Sequence, residues 1–367
     1  MWHLALDGLD RLIRLLAEQG YEVVGPTVRD GAIVLEEIGG VADLPAGIRE
    51  EQGPATYELT STGDGRLFDW AHGPDAGKRF LFPPREPLTT ISRNGGGMRQ
   101  SPAPEEERPL AFVGLRSCDL HAIEVQDRVF MELDPAYRRR RERAVFVGVN
   151  CAVPGGTCFC VSMGTGPRCT MGFDLALTEL EDGFALEAGS PRGEELAAAL
   201  PIRAATETEA AEVDGIAARA AERMGRTLDT SDMPDLLHRN RAHPRWQDVA
   251  ERCLACANCT NVCPTCFCHD VVDAVSLTGD EATRTREWAS CFSAEYSWAA
   301  GEIVRGSRAS RYRQWLTHKF ASWIDQYGVS GCVGCGRCIT WCPVGIDVTE
   351  EIVAIRATDG EVEVVAR

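Results

Sequence analysis

The chain has no apolar run of the length that spans a bilayer, and its opening residues, MWHLALDGLD, carry no basic segment followed by an apolar one. A membrane helix needs about 20 predominantly apolar residues, so no spanning segment is expected, nor a secretory or twin-arginine leader. Positive charge is also scarce: 38 Lys and Arg stand against 55 Asp and Glu, a net charge of −17. Nucleic acid and anionic membrane surfaces attract basic proteins, so neither is an expected partner. No G-x-G-x-x-G follows a strand pattern and no P-loop occurs, which leaves no readable FAD, NAD or nucleoside triphosphate site. The glycine run Asn94-Gly-Gly-Gly-Met98 lacks the strand–helix context of such a site and reads as a mobile loop. Histidine is sparse, seven in all, and His121, three residues after Cys118, reads as a structural imidazole rather than a ligand.

What the chain has in abundance is cysteine, sixteen in 367 residues. Without an export signal, that number points to metal ligation in a reducing cytoplasm rather than to disulfides. Two stretches share the spacing C-x2-C-x2-C-x3-C-P: Cys253, Cys256, Cys259, Cys263 and Pro264, then Cys332, Cys335, Cys338, Cys342 and Pro343. Three cysteines three residues apart wrap one [4Fe–4S] cubane, and the fourth ligates a second cluster. A zinc site instead draws on two separated C-x2-C pairs and gains nothing from a third cysteine in the same run. With the usual cross-over, Cys253, Cys256, Cys259 and Cys342 hold one cluster, and Cys332, Cys335, Cys338 and Cys263 hold the other. Gly334 and Gly336 suit this arrangement, because small residues let backbone N–H groups approach cluster sulfurs. The motifs begin 79 residues apart. That leaves room for several helices between them, so the segment resembles an α-helical ferredoxin, as in iron–sulfur subunits of succinate dehydrogenase and heterodisulfide reductase subunits.

The remaining chain reads as α+β. A helix is expected from Asp7, as its cap, to Gln19, stopped by Gly20, with strands at Tyr21–Val24 and Ala32–Leu35. Residues 41–108 are rich in Gly, Pro and charge, with one short strand at Arg79–Pro84. Leu110–Leu115, a helix over Asp119–Leu133 and Ala144–Val149 form a strand–helix–strand unit with parallel strands. A further strand is expected at Phe184–Glu187 and helix over Gly193–Arg226, broken at Pro201. The C-terminal part is expected to be mainly helical, with Trp315, Leu316, Phe320, Trp323 and Ile324 on one core-facing stripe. Two domains follow, an α+β domain over residues 1–230 and an α-helical ferredoxin domain with two [4Fe–4S] clusters over 231–367, the junction lying in the polar stretch near Asp229–Asp235.

A third cysteine group, Cys118, Cys151, Cys158 and Cys160, falls at two predicted strand ends and the loop beyond. The carboxyl edge of a parallel sheet is a usual place for a site. Its irregular spacing fits a third [4Fe–4S] cluster, a zinc ion, or ordinary buried thiols. Cys169, Cys266, Cys268 and Cys291 are left over; they read as small hydrophobes beside a cluster, with a fourth metal site the alternative. Thr265-Cys-Phe-Cys268 repeats Thr157-Cys-Phe-Cys160. The basic run Arg138, Arg139, Arg140, Arg141 is expected to be a docking patch for an acidic partner.

Several segments carry a family resemblance. Arg116-Ser-Cys-Asp-Leu-His-Ala-Ile, Asn150-Cys, Thr157-Cys-Phe-Cys-Val-Ser-Met-Gly-Thr-Gly-Pro, Cys263-Pro-Thr-Cys-Phe-Cys, Arg311-Tyr-Arg-Gln-Trp-Leu-Thr-His-Lys and Gly331 to Asp347 resemble the β subunit of cytosolic group 3b nickel–iron sulfhydrogenases. The electron-input component of anaerobic sulfite reductase is similar. The resemblance covers residues 110–350 well and the first hundred loosely. It implies an electron-transfer subunit, itself without a catalytic centre, that relays single electrons between the small and large subunits of the hydrogenase and a flavin/NAD(P)-binding subunit. It also implies that Cys118, Cys151, Cys158 and Cys160 hold a third cluster. An electron-input subunit of a siroheme sulfite reductase is the alternative. Neither paired C-x2-C motifs near the chain ends nor a siroheme pattern can be read here, so the catalytic centre is expected on another chain.

Overall fold

The structure is a computed structural model and describes residues 1–94, 96–102 and 108–360. In chain order its main strands are β1 (Trp2–Leu4), β2 (Glu22–Arg29), β3 (Ala32–Glu37), β4 (Ile48–Gly53), β5 (Thr56–Ser61), β6 (Arg85–Asn94), β7 (Gly97–Pro102), β8 (Leu110–Leu115), β9 (Val145–Val149), β10 (Leu175–Glu179), β11 (Phe184–Ala188), β12 (Ile202–Ala204), β13 (His269–Val275) and β14 (Glu281–Trp288). An eight-stranded sheet runs β12-β1-β11-β10-β9-β8-β2-β3. Its centre, β2, β8, β9 and β10, is parallel; its flanks pair antiparallel. Strands buried on both faces read as unbroken apolar runs. LAFVGL and VFVGV are such runs, and every residue of β9 is buried.

The helices Ser117–Phe130 and Pro135–Arg143 cross from β8 to β9, the expected strand–helix–strand unit. The first helix, Leu6–Glu18, buries Leu9, Leu12, Ile13 and Leu16 against the sheet. Its cap is Ala5; Asp7 lies inside the first turn instead, where its charge still favours the helix dipole. The break at Pro201 separates helices Pro191–Ala198 and Glu207–Glu222 and leads into β12.

Two expectations fail. Arg79–Pro84 contains a one-turn helix, Lys78–Leu81, ended by the following proline pair; four residues are too few to show a period. The segment between the cysteine motifs is not all helical, because it opens with the hairpin β13–β14. This hairpin extends a second sheet, β13-β14-β6-β7, so strands from either side of residue 230 share one ladder. Every residue of β13 is exposed. Its sequence, HDVVDAV, exposes Val271, Val272 and Val275 and does not alternate apolar with polar, so it lacks the pattern by which strands are read from sequence. Of the glycine run, Gly97 pairs with Asn94 where β7 begins and Gly96 lies in a turn, while Gly95 lies outside the described residues.

Beyond the hairpin a second, short one pairs Trp298–Ala299 with Glu302–Ile303, and the regular elements after it are helices. Helix Arg308–Thr317, a single π turn over His318–Ser322 and helix Trp323–Tyr327 follow one another. Trp315, Leu316, Phe320 and Trp323 are buried as expected, while Ile324 is only partly so. Among the described residues no helix is long and apolar enough to cross a membrane.

Candidate metal centres

The two cysteine motifs follow the same backbone path. Ala255 and Ala257 in the first have φ of 54° and 67°, and Gly334 and Gly336 at the matching places of the second have 65° and 75°. These left-handed residues curl the loop so that backbone N–H groups turn inward onto sulfur. Ala255 donates to Cys253 Sγ, Gly334 to Cys332 Sγ and Ile346 to Cys342 Sγ, each at 3.4 Å. Each loop then enters a one-turn helix, Asn258–Asn261 or Arg337–Thr340.

Two mostly apolar cavities lie inside these loops. One, with about 430 Å³ of unfilled space, is lined by Cys253, Cys256, Cys259, Cys338 and Cys342, with Phe292, Tyr312, Trp315 and Ile346 as walls. The other, about 370 Å³, is lined by Cys263, Cys332, Cys335 and Cys338, with Phe159, Phe320, Val333 and Lys319. The second cavity draws three cysteines from one motif and a fourth from the other; the first draws three from its own motif and two, Cys338 and Cys342, from the other, so both cavities are lined by cysteines of both motifs. No disulfide joins any of the sixteen cysteines. Among the described residues no three His, Cys, Asp or Glu side chains converge tightly enough for one metal ion; a cubane spreads its four thiolates over four irons.

Electrostatics bear on the fit. Burial pushes the Cys332 thiol up to about 12 and holds Cys259 and Cys338 well above the usual thiol range. Such thiols ionise only beside a compensating positive charge, which cluster iron provides. Lys319 makes the complementary point. It is 6% exposed, and its Nζ reaches Cys263 Sγ at 3.1 Å, Thr265 Oγ1 at 2.9 Å and the Gly331 carbonyl at 3.2 Å. A buried ammonium with no carboxylate partner is costly unless an anion lies beside it. Burial disfavours its charge, yet Cys263, Cys266 and Cys332 together hold it well above the usual lysine range. The residues present fit a thiolate-held cluster.

The third group assembles at the carboxyl edge of the large sheet. Cys118 opens the helix after β8, Cys151 follows β9, and Cys158 and Cys160 lie on the loop beyond. Burial raises all four thiols, and their proximity adds to it: Cys160 and Cys151 act on Cys158, and Cys160 acts on Cys118. Cys158 Sγ lies 3.6 Å from the Cys335 carbonyl and 3.5 Å from His72 Nε2. The loop carrying Cys158 is packed so closely on the second motif that a Cβ on Gly336 would lie 2.3 Å from the Thr157 carbonyl oxygen.

A family model described as a 4Fe-4S dicluster domain matches residues 252–346. Sulfhydrogenase 2 subunit beta of Pyrococcus furiosus is 32% identical over 286 residues, which are 76% of this chain and 82% of that protein. The chain belongs to the sulfhydrogenase beta subunit family. No solved structure matches significantly.

Around the cysteines, this sulfhydrogenase beta subunit homologue recruits residues that spacing could not reveal. Arg116 and Arg337 are almost fully buried. Arg116 donates to the carbonyls of Phe68, Trp70, Ala71 and Asn150. Arg337 donates to those of Gly73 and Asp75 and pairs with Asp119 at 2.9 Å. The irregular segment 67–73 can lie in the interior because these guanidiniums satisfy its carbonyls. It delivers His72, whose Nε2 bonds the Cys335 carbonyl and lies 3.5 Å from Cys158 Sγ. Lys78, from the one-turn helix, lies 3.3 Å from the Asn261 carbonyl beside Cys263. Of the left-over thiols, Cys266 lies beside Cys263 and helps to hold its thiol well below the usual range, whereas Cys169 donates its backbone N–H to Asn150 Oδ1 (2.6 Å).

The basic run does not form one outward patch. Arg140 is buried against Glu86 and Leu81, Arg141 pairs with Asp127 at 3.0 Å, and Arg138 bonds the Met131 carbonyl. Only Arg139 of the four is exposed, so the docking expectation narrows to Arg139 and its exposed neighbour Arg143.

Proposed function

We propose that this chain is the iron–sulfur electron-transfer subunit of a nickel–iron hydrogenase complex, relaying single electrons between the small and large hydrogenase subunits and a flavin/NAD(P)-binding subunit. The observation that carries this reading is the pair of apolar cavities, each lined by cysteines of both motifs. A [4Fe–4S] cluster supplies reversible one-electron chemistry when bound. The chain's own residues would do the rest. Cys253, Cys256, Cys259 and Cys342 hold one cluster, Cys332, Cys335, Cys338 and Cys263 a second, and Cys118, Cys151, Cys158 and Cys160 a third. Tyr312, Trp315, Phe320 and Phe159 exclude water from the first two cavities. The backbone donors of Ala255, Gly334 and Ile346 favour negative charge on sulfur.

Iron and acid-labile sulfide of the anaerobically purified chain test the reading. About twelve of each per chain is expected for three cubanes, and about eight would remove the N-terminal one. Zinc without sulfide would sink the proposal. Nickel and hydrogen uptake in the co-purified complex identify the hydrogenase assignment, whereas a siroheme absorption band would replace it with a sulfite reductase.

A further inference from the structure

Lys319 stands out because the local backbone departs from a regular helix to place it. The π turn His318–Ser322 interrupts what would otherwise be one helix from Arg308 to Tyr327. Single π turns recur at functional sites, and here the interruption carries a lysine into the interior, onto Cys263. Its three hydrogen-bond partners are a thiol, a hydroxyl and a carbonyl, and no carboxylate among the described residues pairs with it. The same hydroxyl, Thr265 Oγ1, also lies 3.1 Å from Cys263 Sγ and donates to the Gly331 carbonyl. Lys319 is therefore held by a short network aimed at one sulfur.

The other buried cations differ. Arg337 sits close to Cys335 but is paired with Asp119. Near the first cavity, the buried Arg311 donates to the Phe292 carbonyl at 3.1 Å and the exposed Arg308 to the Cys253 carbonyl at 2.7 Å, neither to a sulfur. Lys78 adds charge of the same sign on the far side of Cys263, 5% exposed with Nζ 3.7 Å from the Trp288 ring centre. A cationic donor without a carboxylate partner thus sits directly on a sulfur of the cavity of Cys263, Cys332, Cys335 and Cys338.

A positive hydrogen-bond donor on a ligand sulfur stabilises the more negative, reduced state and so raises the reduction potential. We propose that Lys319 is a positioning residue that raises the potential of the cluster held by Cys263, Cys332, Cys335 and Cys338, making that site the more readily reduced of the C-terminal pair. This rests on those four cysteines being cluster ligands.

The test is a potentiometric titration of the anaerobic full-length chain, followed by electron paramagnetic resonance, for the unmodified protein, Lys319→Met and Lys319→Arg. The signal is assigned by its loss in Cys332→Ser. In Lys319→Met its reduction equilibrium should weaken at least tenfold, about 59 mV for one electron, with the other signals unmoved. Lys319→Arg, which keeps a donor and the charge, should recover most of the difference. An unmoved potential with full iron and sulfide overturns this inference alone, as does an equal shift in every signal. Absence of iron and sulfide from the unmodified chain overturns the cluster reading itself. If Lys319→Met fails to retain iron, Thr265→Val serves instead; it should shift the same signal downward by a smaller amount, and no shift there also overturns the inference.

Discussion

Ala257 and Gly336 occupy the same place in their motifs, one residue after the second cysteine, and both lie in the left-handed region. An alanine there costs about 1–2 kcal/mol relative to its right-handed conformation, whereas glycine is indifferent. Ala257→Gly should therefore be tolerated, or stabilise the chain by up to about 1 kcal/mol after the extra unfolded-state entropy of glycine. The reverse change in the second motif should not be tolerated. A Cβ at Gly336 would meet the Thr157 carbonyl group at 2.3–2.5 Å, and backbone cannot swing aside as a side chain can. Gly336→Ala should cost more than about 2 kcal/mol and lower iron content. Anaerobic urea unfolding of the two variants checks the pair; equal midpoints would refute the account. His318, next to the lysine on the π turn, makes a pH-dependent contribution. Burial, then the charge of Lys319, lowers its pKa to about 4. The unfolded chain binds this proton below about 6.5 and the folded chain does not. Stability is therefore full above pH 6.5 and falls as pH drops from there toward 4, by on the order of 2 kcal/mol once partial exposure is allowed for. His318→Gln should remove most of the difference in unfolding midpoint between pH 7.5 and pH 5.

The elements are tied together by a buried ionic cluster. Glu86 on β6 is met by Arg140 from the helix before β9 and by Arg286 on β14, and Arg286 also pairs with Asp134. All three of Glu86, Arg140 and Arg286 are under a tenth exposed. Removing one member of a buried pair leaves the other charge uncompensated, at about 3–5 kcal/mol. Glu86→Ala should thus destabilise by that amount and loosen the β13–β14 hairpin, read as faster amide exchange over residues 269–288, while Arg139→Ala on the exposed face should change neither. None of this could be foreseen from the chain. Cysteines around a cubane must recur at fixed short spacing, which is why Cys253–Cys263 and Cys332–Cys342 were legible, and unbroken apolar runs disclosed β8 and β9. Lys319 depends on a π turn, Lys78 on a one-turn helix, and His72 on an irregular segment held by Arg116 and Arg337. Such positions have no period, so tertiary packing alone assigns them. The hairpins of residues 48–61 and 85–102 were missed because they are polar on both faces.

At the scale of the whole molecule, the three cysteine groups stand in series, with the Cys332–Cys338 loop in the middle. Cys338 borders both C-terminal cavities. Cys335 lines the second cavity, and its carbonyl receives His72 and lies beside Cys158 of the N-terminal group. Cys256, by contrast, is exposed at one end of the series. In the proposed relay the middle site joins the two end groups, through Cys338 on one side and Cys335 on the other. Cys335→Ala should accordingly uncouple the assembled complex. Hydrogen-dependent reduction of NAD(P) should fall to background, while hydrogen-dependent reduction of a viologen dye by the hydrogenase subunits, and dye reduction by NAD(P)H at the flavin subunit, should persist. A complex that lacks the middle cluster by iron analysis yet keeps the overall rate would show that electrons take another route. Lys319→Met should act at the same place more gently. It lowers the potential of the middle site without emptying it, so the overall rate should slow while iron content and both half-reactions stay unchanged.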